Sequence, residues 1–316
     1  MYKKLSVFLF VSLLTMIIAA CGANNEKTSS SAKKDSVLTI KHQLGESKVA
    51  KNPKKVVVFD FGSLDTLDKL GLSESVAGVP QQNTPKYLKQ YSDSKYANVG
   101  GLKEPDFEAI NEIKPDLIII SGRQQDSYDK FQEIAPTIFM GVDQKNYMES
   151  FRQNVMTLGE IFNKEDQAKE ELDTIDNAIA ELKEKADSSD VKALITLAEG
   201  GKVTTFGPSS RFGIVHDVFG IKAAAENTDA DPIHGQVISM EFITEKNPGI
   251  LYVIDRDAAI GEGSNAKKVI ENDLVKKTDA FKNGKIIYLD PGYWYLSGGG
   301  LESVAEMVKE ASTGLE

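Results

Sequence analysis

The chain predicts an α/β protein of two similar lobes with mainly parallel sheets, joined by one long helix. Three observations carry that expectation. First, EAINEIKPDLIIISGR (Glu108–Arg123) aligns without a gap on EFITEKNPGILYVIDR (Glu241–Arg256): Glu108 meets Glu241, Ile110 meets Ile243, Pro115 meets Pro248 and Arg123 meets Arg256. Each copy reads as a helix, a proline break, a buried strand and an arginine at the strand's carboxyl end. Second, between the copies Asn163–Ala186 contains neither Gly nor Pro, and its apolar residues are Ala168, Leu172, Ile175, Ile179, Leu182 and Ala186. Those steps of four and three draw one apolar stripe along a helix. At about 1.5 Å per residue it spans roughly 33–36 Å, the width of a small domain. Third, unbroken apolar runs such as Leu117–Ile120 and Ile250–Ile254 suit parallel strands covered on both faces.

In chain order, Lys3 and Lys4 precede the apolar run Leu5–Ala20, which ends in small residues before Cys21, the only cysteine. This is the pattern of an export signal, too short and wrongly flanked for a membrane span. Residues 21–36 are polar and lack aromatics, so they read as a flexible tether reaching roughly 20–23 Å. A first lobe is expected over residues 37–162. Its strands are Lys55–Phe59, Val76–Val79, Leu117–Ile120 and Thr137–Met140, and its helices include Ser63–Leu70, Asp106–Ile113 and Tyr147–Phe162. The linking helix occupies 163–187, with Asn163 as its expected N-cap and Glu165 and Asp166 at the positive end of its dipole. The second lobe, 188–316, repeats the order. A hairpin joins Ala193–Leu197 to Val203–Phe206, the loop Gly207–Gly213 opens the helix Ile214–Phe219, and Ser239–Lys246 leads into the strand ending at Arg256. Lys285–Leu289 is the last strand and Leu301–Ala311 the last helix.

A formal charge of −10 argues against nucleic acid as a partner, because nucleic-acid-binding chains carry a basic face. The arginines are informative by their scarcity: four, at 123, 152, 211 and 256, against 33 lysines. Ligands of parallel sheets lie beyond the strand carboxyl ends. Arg123 and Arg256 stand there, Arg211 sits in a Gly/Pro loop, and Lys103 follows Gly100-Gly101. A guanidinium suits planar, bidentate contact with an anion. Several cations in one partly desolvated cleft make sense only when a multivalent anion fills it. At an effective dielectric of about 20, opposite charges 4 Å apart gain about 4 kcal/mol before desolvation.

Other motifs fall short. Gly261-Glu262-Gly263 lacks the spacing of a dinucleotide fingerprint, and Gly207-Pro-Ser-Ser-Arg lacks the second glycine of a hydrolase elbow. His42, His216 and His234 have no metal-ligand spacing, and His216 reads as a core residue. No nucleophilic or acid–base constellation emerges, so an enzyme is not expected.

The signal ending at Cys21, the linking helix and the segments KNPKKVVVFDFGSLDTLDKLG, VGGLKEPDF, PDLIIISGR, FGPSSRFG, HGQ and WYLSGGGLES resemble the Gram-positive ferric-siderophore-binding lipoproteins of ABC importers. The similarity is strongest to the catecholate group that includes the petrobactin-binding lipoproteins, and it covers essentially the whole chain. It implies two Rossmann-like lobes on a helical backbone, the periplasmic-binding-protein type. It implies a ferric catecholate ligand met by Lys103, Arg123, Arg211 and Arg256, with Trp294 and Tyr87 packing on its rings and His234 as a weaker contact. Iron is then held by the siderophore, with no intrinsic cofactor and no protein metal site. The resemblance further implies Cys21 as the lipid attachment point on the extracellular face of the cell membrane, Glu108 and Glu241 as docking points for an ABC permease with its ATPase, and a monomer. Haem or cobalamin remains an alternative ligand on residue content, and a two-lobed hydrolase or redox enzyme a remoter one.

Overall fold

The computed structural model describes residues 36–226 and 231–316; the expected signal, Cys21 and the tether lie outside them. A two-stranded antiparallel hairpin, β1 (Val37–His42) and β2 (Gly45–Ala50), precedes the first sheet. That sheet contains β3 (Val56–Val58), β4 (Val76–Val79), β5 (Ala97–Asn98), β6 (Leu117–Ile120) and β7 (Thr137–Phe139), in the order β5-β4-β3-β6-β7, all parallel. Helix α1 (Phe61–Lys69) follows β3, α2 (Phe107–Ile113) precedes β6, α3 (Tyr128–Gln132) precedes β7, and α4 (Tyr147–Phe162) leaves the lobe. Every residue of β3 and β6 is buried, as expected for strands covered on both faces.

Helix α5 (Glu165–Asp187) is the linking helix, and its six buried residues are the predicted stripe, Ala168 to Ala186. Its start differs from expectation. Asn163 adopts the left-handed conformation (φ 53°) and ends α4, its N–H bonding to Gly159 O. Asparagine tolerates that conformation better than most residues, so it serves here as a C-cap. A bidentate Arg152–Asp176 pair bridges α4 and α5, which gives the fourth arginine a structural role.

The second sheet contains β8 (Lys192–Glu199), β9 (Lys202–Phe206), β10 (Lys222–Ala223), β11 (Gln236–Ile238), β12 (Ile250–Asp255) and β13 (Ile286–Leu289), with short helices α6 (Ile214–Asp217), α7 (Met240–Lys246), α8 (Arg256–Ala259), α9 (Ala266–Ile270) and α10 (Asp279–Lys282) between them. Its order is β11-β9-β8-β12-β13, with β10 beside β8; β9 runs antiparallel to both β8 and β11. The internal repeat extends to the capping of its helices. Asp106 and Ser239 cap α2 and α7 through their side chains, and Lys114 and Asn247 end them at positive φ.

The chain closes through one π-helical turn, Gly292–Ser297, into α11 (Leu301–Ser312), which packs on both α5 and α1. This is the seam between the lobes. The buried Asp65 carboxylate of α1 accepts the N–H groups of Glu302 and Ser303 at the start of α11, both at 2.8 Å. The backbones approach so closely that a Cβ on Gly62 would lie 2.9 Å from the Gly299 carbonyl carbon.

Candidate functional site: an arginine-lined cleft

The two equivalent strand ends deliver Arg123 and Arg256 to one gap. A cavity of about 240 Å³ opens there, lined by Asn83, Lys103 and Arg123 from one side and by Arg256, Ile260 and Tyr295 from the other. Arg123 Nη2 donates to the Tyr295 carbonyl (2.7 Å) and Nη1 to the Leu296 carbonyl (3.3 Å). Arg211 Nη2 donates to the same Tyr295 carbonyl (3.0 Å), and its guanidinium lies 4.4 Å from the centre of the Tyr295 ring. Arg256 Nε donates to the Tyr295 phenol (3.0 Å) and Nη1 pairs with Glu199 (2.9 Å). All three arginines therefore converge on one residue, Tyr295.

Among the described residues Arg123 and Arg211 have no carboxylate in salt-bridge contact. Burial pulls both guanidinium groups below their ordinary pKa, and Arg211 feels Arg123 and Arg256 as well. Burial also works to raise the Tyr295 phenol, but the charges of Arg211, Arg256 and Arg123 outweigh it and the net shift is downward. Lys103 is exposed and lines the cavity from a tight loop in which Gly100 has φ +92° and Gly101 N–H bonds to Glu104 O at 3.0 Å. Such a φ favours glycine.

Three of the sequence-derived candidates lie elsewhere. Trp294 is only 3% exposed and donates its indole N–H to Glu310 (2.7 Å), so it is a core residue and its neighbour Tyr295 is the aromatic wall. The Tyr87 hydroxyl lies within hydrogen-bond distance of Ser297 (2.7 Å) and Asp65 (3.1 Å), and its ring packs at a 40° tilt against Tyr293, 4.6 Å between centres. That contact belongs to the seam. His234 has a 79% exposed side chain and faces Asp231, outside the cavity, although its loop touches the site through the bond from Arg211 N–H to Pro232 O (2.7 Å). Glu108 and Glu241 are both exposed in the first turns of α2 and α7. Among the described residues no group of three His, Cys, Asp or Glu side chains is placed to hold a metal ion. A second hollow of about 250 Å³, between the β1–β2 hairpin and α4, holds no arginine, and its Asn154 amide already bonds to Met140 O (2.7 Å).

Two lobes joined by a long helix, with an arginine-lined cleft of about 240 Å³ between them, form the architecture of a solute-binding protein. The periplasmic binding protein family matches residues 56–293, and the chain belongs to that family. It is 54% identical to the petrobactin-binding protein YclQ of Bacillus subtilis, over 99% of each chain. The crystal structure of YclQ superposes with a TM-score of 0.87 at 56% identity, covering 89% of this chain and 99% of that one. The periplasmic catecholate-siderophore binding protein VctP of Vibrio cholerae gives a TM-score of 0.83 at 37% identity, covering 88% and 100%. A B. subtilis protein named as a putative ABC transporter substrate-binding lipoprotein, YhfQ, is 26% identical over 93% of each chain.

Proposed function

We propose that this protein captures a ferric catecholate siderophore of the petrobactin type in the inter-lobe cleft and delivers it to an ABC permease for iron uptake. The observation that carries the reading is the pair Arg123 and Arg211. They come from opposite lobes, are partly buried, meet at one carbonyl and have no carboxylate in salt-bridge contact among the described residues. A desolvated cation pair of this kind is completed by a multivalent anion. Iron(III) held by three dianionic bidentate oxygen donors, catecholates among them, has a formal charge of about −3, and those oxygens accept charge-assisted bonds from Arg and Lys. Each cation–π contact between an arginine and a catechol ring adds roughly 0.5–2 kcal/mol. Arg123, Arg211, Arg256 and Lys103 supply the charge, Tyr295 the aromatic wall, and the siderophore all the ligands to iron.

The chain is anchored through a lipid on Cys21 at the extracellular face of the membrane and acts as a monomer. Glu108 and Glu241, matched in the repeat and in the capping of their helices, dock on cationic residues of the permease. The test is a fluorescence titration of the chain beginning after Cys21 with iron-loaded and iron-free petrobactin. Saturable quenching by the ferric complex without product formation is the expected result; no affinity for any ferric catecholate rejects the reading. Reversing both Glu108 and Glu241 to Lys leaves that affinity unchanged and abolishes iron uptake by cells.

A further inference from the structure

Gln124, directly after Arg123, is 2% exposed, and its amide is used at both ends. Its Oε1 accepts the Ser121 N–H (3.1 Å), where β6 ends and the turn bearing Arg123 begins. Its Nε2 donates to the Leu102 carbonyl (2.6 Å), one residue before Lys103. The loop 100–105 is internally braced by bonds between Gly101 and Glu104, and Gly100 meets Asn98. Among the described residues, only the Gln124 amide makes a hydrogen bond between this loop and the Arg123 turn.

We propose that Gln124 is a positioning residue for ligand capture, fixing the loop of Lys103 against the strand end of Arg123 so that both cations meet one polyanion. This rests on the functional reading above. Lys103 is exposed and has a flexible stem. Were its loop also free, ordering it would be charged against each binding event. Holding the loop beforehand moves that cost into folding. A buried amide suits the task, because removing either end leaves a backbone group without its partner.

Two variants of the full chain separate this from a general packing role. Gln124→Met keeps the volume and removes both bonds; Gln124→Leu removes both with a shorter, branched side chain. Each is expected to weaken ferric petrobactin binding by about threefold to tenfold, but by less than about twofold when Lys103 is already Ala, because the effect runs through Lys103. In the ligand-free protein, amide exchange at residues 101–104 accelerates in both variants while exchange in α5 does not. An equal loss of affinity with and without Lys103, or unchanged exchange in the loop, overturns the proposal. If the native chain binds no ferric petrobactin, the functional reading fails, while loop exchange still decides whether Gln124 holds the loop.

Discussion

Arg123 and Arg211 each give up water for the same peptide carbonyl, which has a lone pair for each of them but carries no charge. An anion arriving in the cleft offers both a stronger acceptor. Replacing either with Ala is expected to lower affinity for ferric petrobactin by about tenfold to hundredfold, the range for hydrogen bonds to charged groups. Arg152→Ala, which removes an ion pair between helices, leaves affinity unchanged and costs about 1 kcal/mol or less in urea unfolding. Tyr295 is expected to make binding depend on pH. Its phenol ionises below its ordinary value, so as pH rises through that point a tyrosinate forms among the arginines and competes with the anionic ligand. Affinity measured from about pH 7 to about pH 10 should therefore fall on the alkaline side, and Tyr295→Phe should remove the fall. The positions of Arg123 and Arg256 were readable in the sequence because strand ends are. The choice of Tyr295 over Trp294 was not, because three adjacent aromatics in one π-helical turn carry no periodicity long enough to say which points inward.

At the scale of elements, the contact between α1 and α11 is the most sensitive joint. Asp65 accepts two N–H groups there and lies against the Tyr87 hydroxyl, yet burial outweighs those bonds and pushes its carboxyl up to about 7. A raised value means the folded protein holds this proton more tightly than the unfolded chain. The associated stability is fully present below about pH 4 and is lost as pH rises to about 7. Asp65→Asn is expected to lower the urea midpoint at low pH, since one acceptor is lost, and to flatten its decline as pH rises from about 4 to about 7. The sequence carried the long elements well: α5 and its stripe, β6, β12 and the repeat all follow from apolar patterning and turn residues. It did not carry β2, β5, β10 or β11: the last three have only two or three residues, too few to show a period, and β2 is defined by its pairing with β1. Asn163 misled because asparagine suits both ends of a helix, and α4 needed an end as much as α5 needed a start.

Taken whole, the molecule is two halves of similar plan joined by one long helix, with the cleft cations drawn from both. Small-angle scattering of the free and iron-loaded protein is expected to show little change in dimensions, because α5, packed along its whole stripe, resists bending. A marked contraction on loading would mean that the spacer hinges. The last helix adds a constraint that the order of lobes along the chain conceals. Since α11 lies on α1 as well as on α5, a first half ending after α5 would expose the face that α11 covers, and a second half would carry a helix start robbed of its Asp65 carboxylate. Neither fragment should fold alone, but mixed together they should reassemble and regain a binding site, as do the pieces of a protein cut within a shared core.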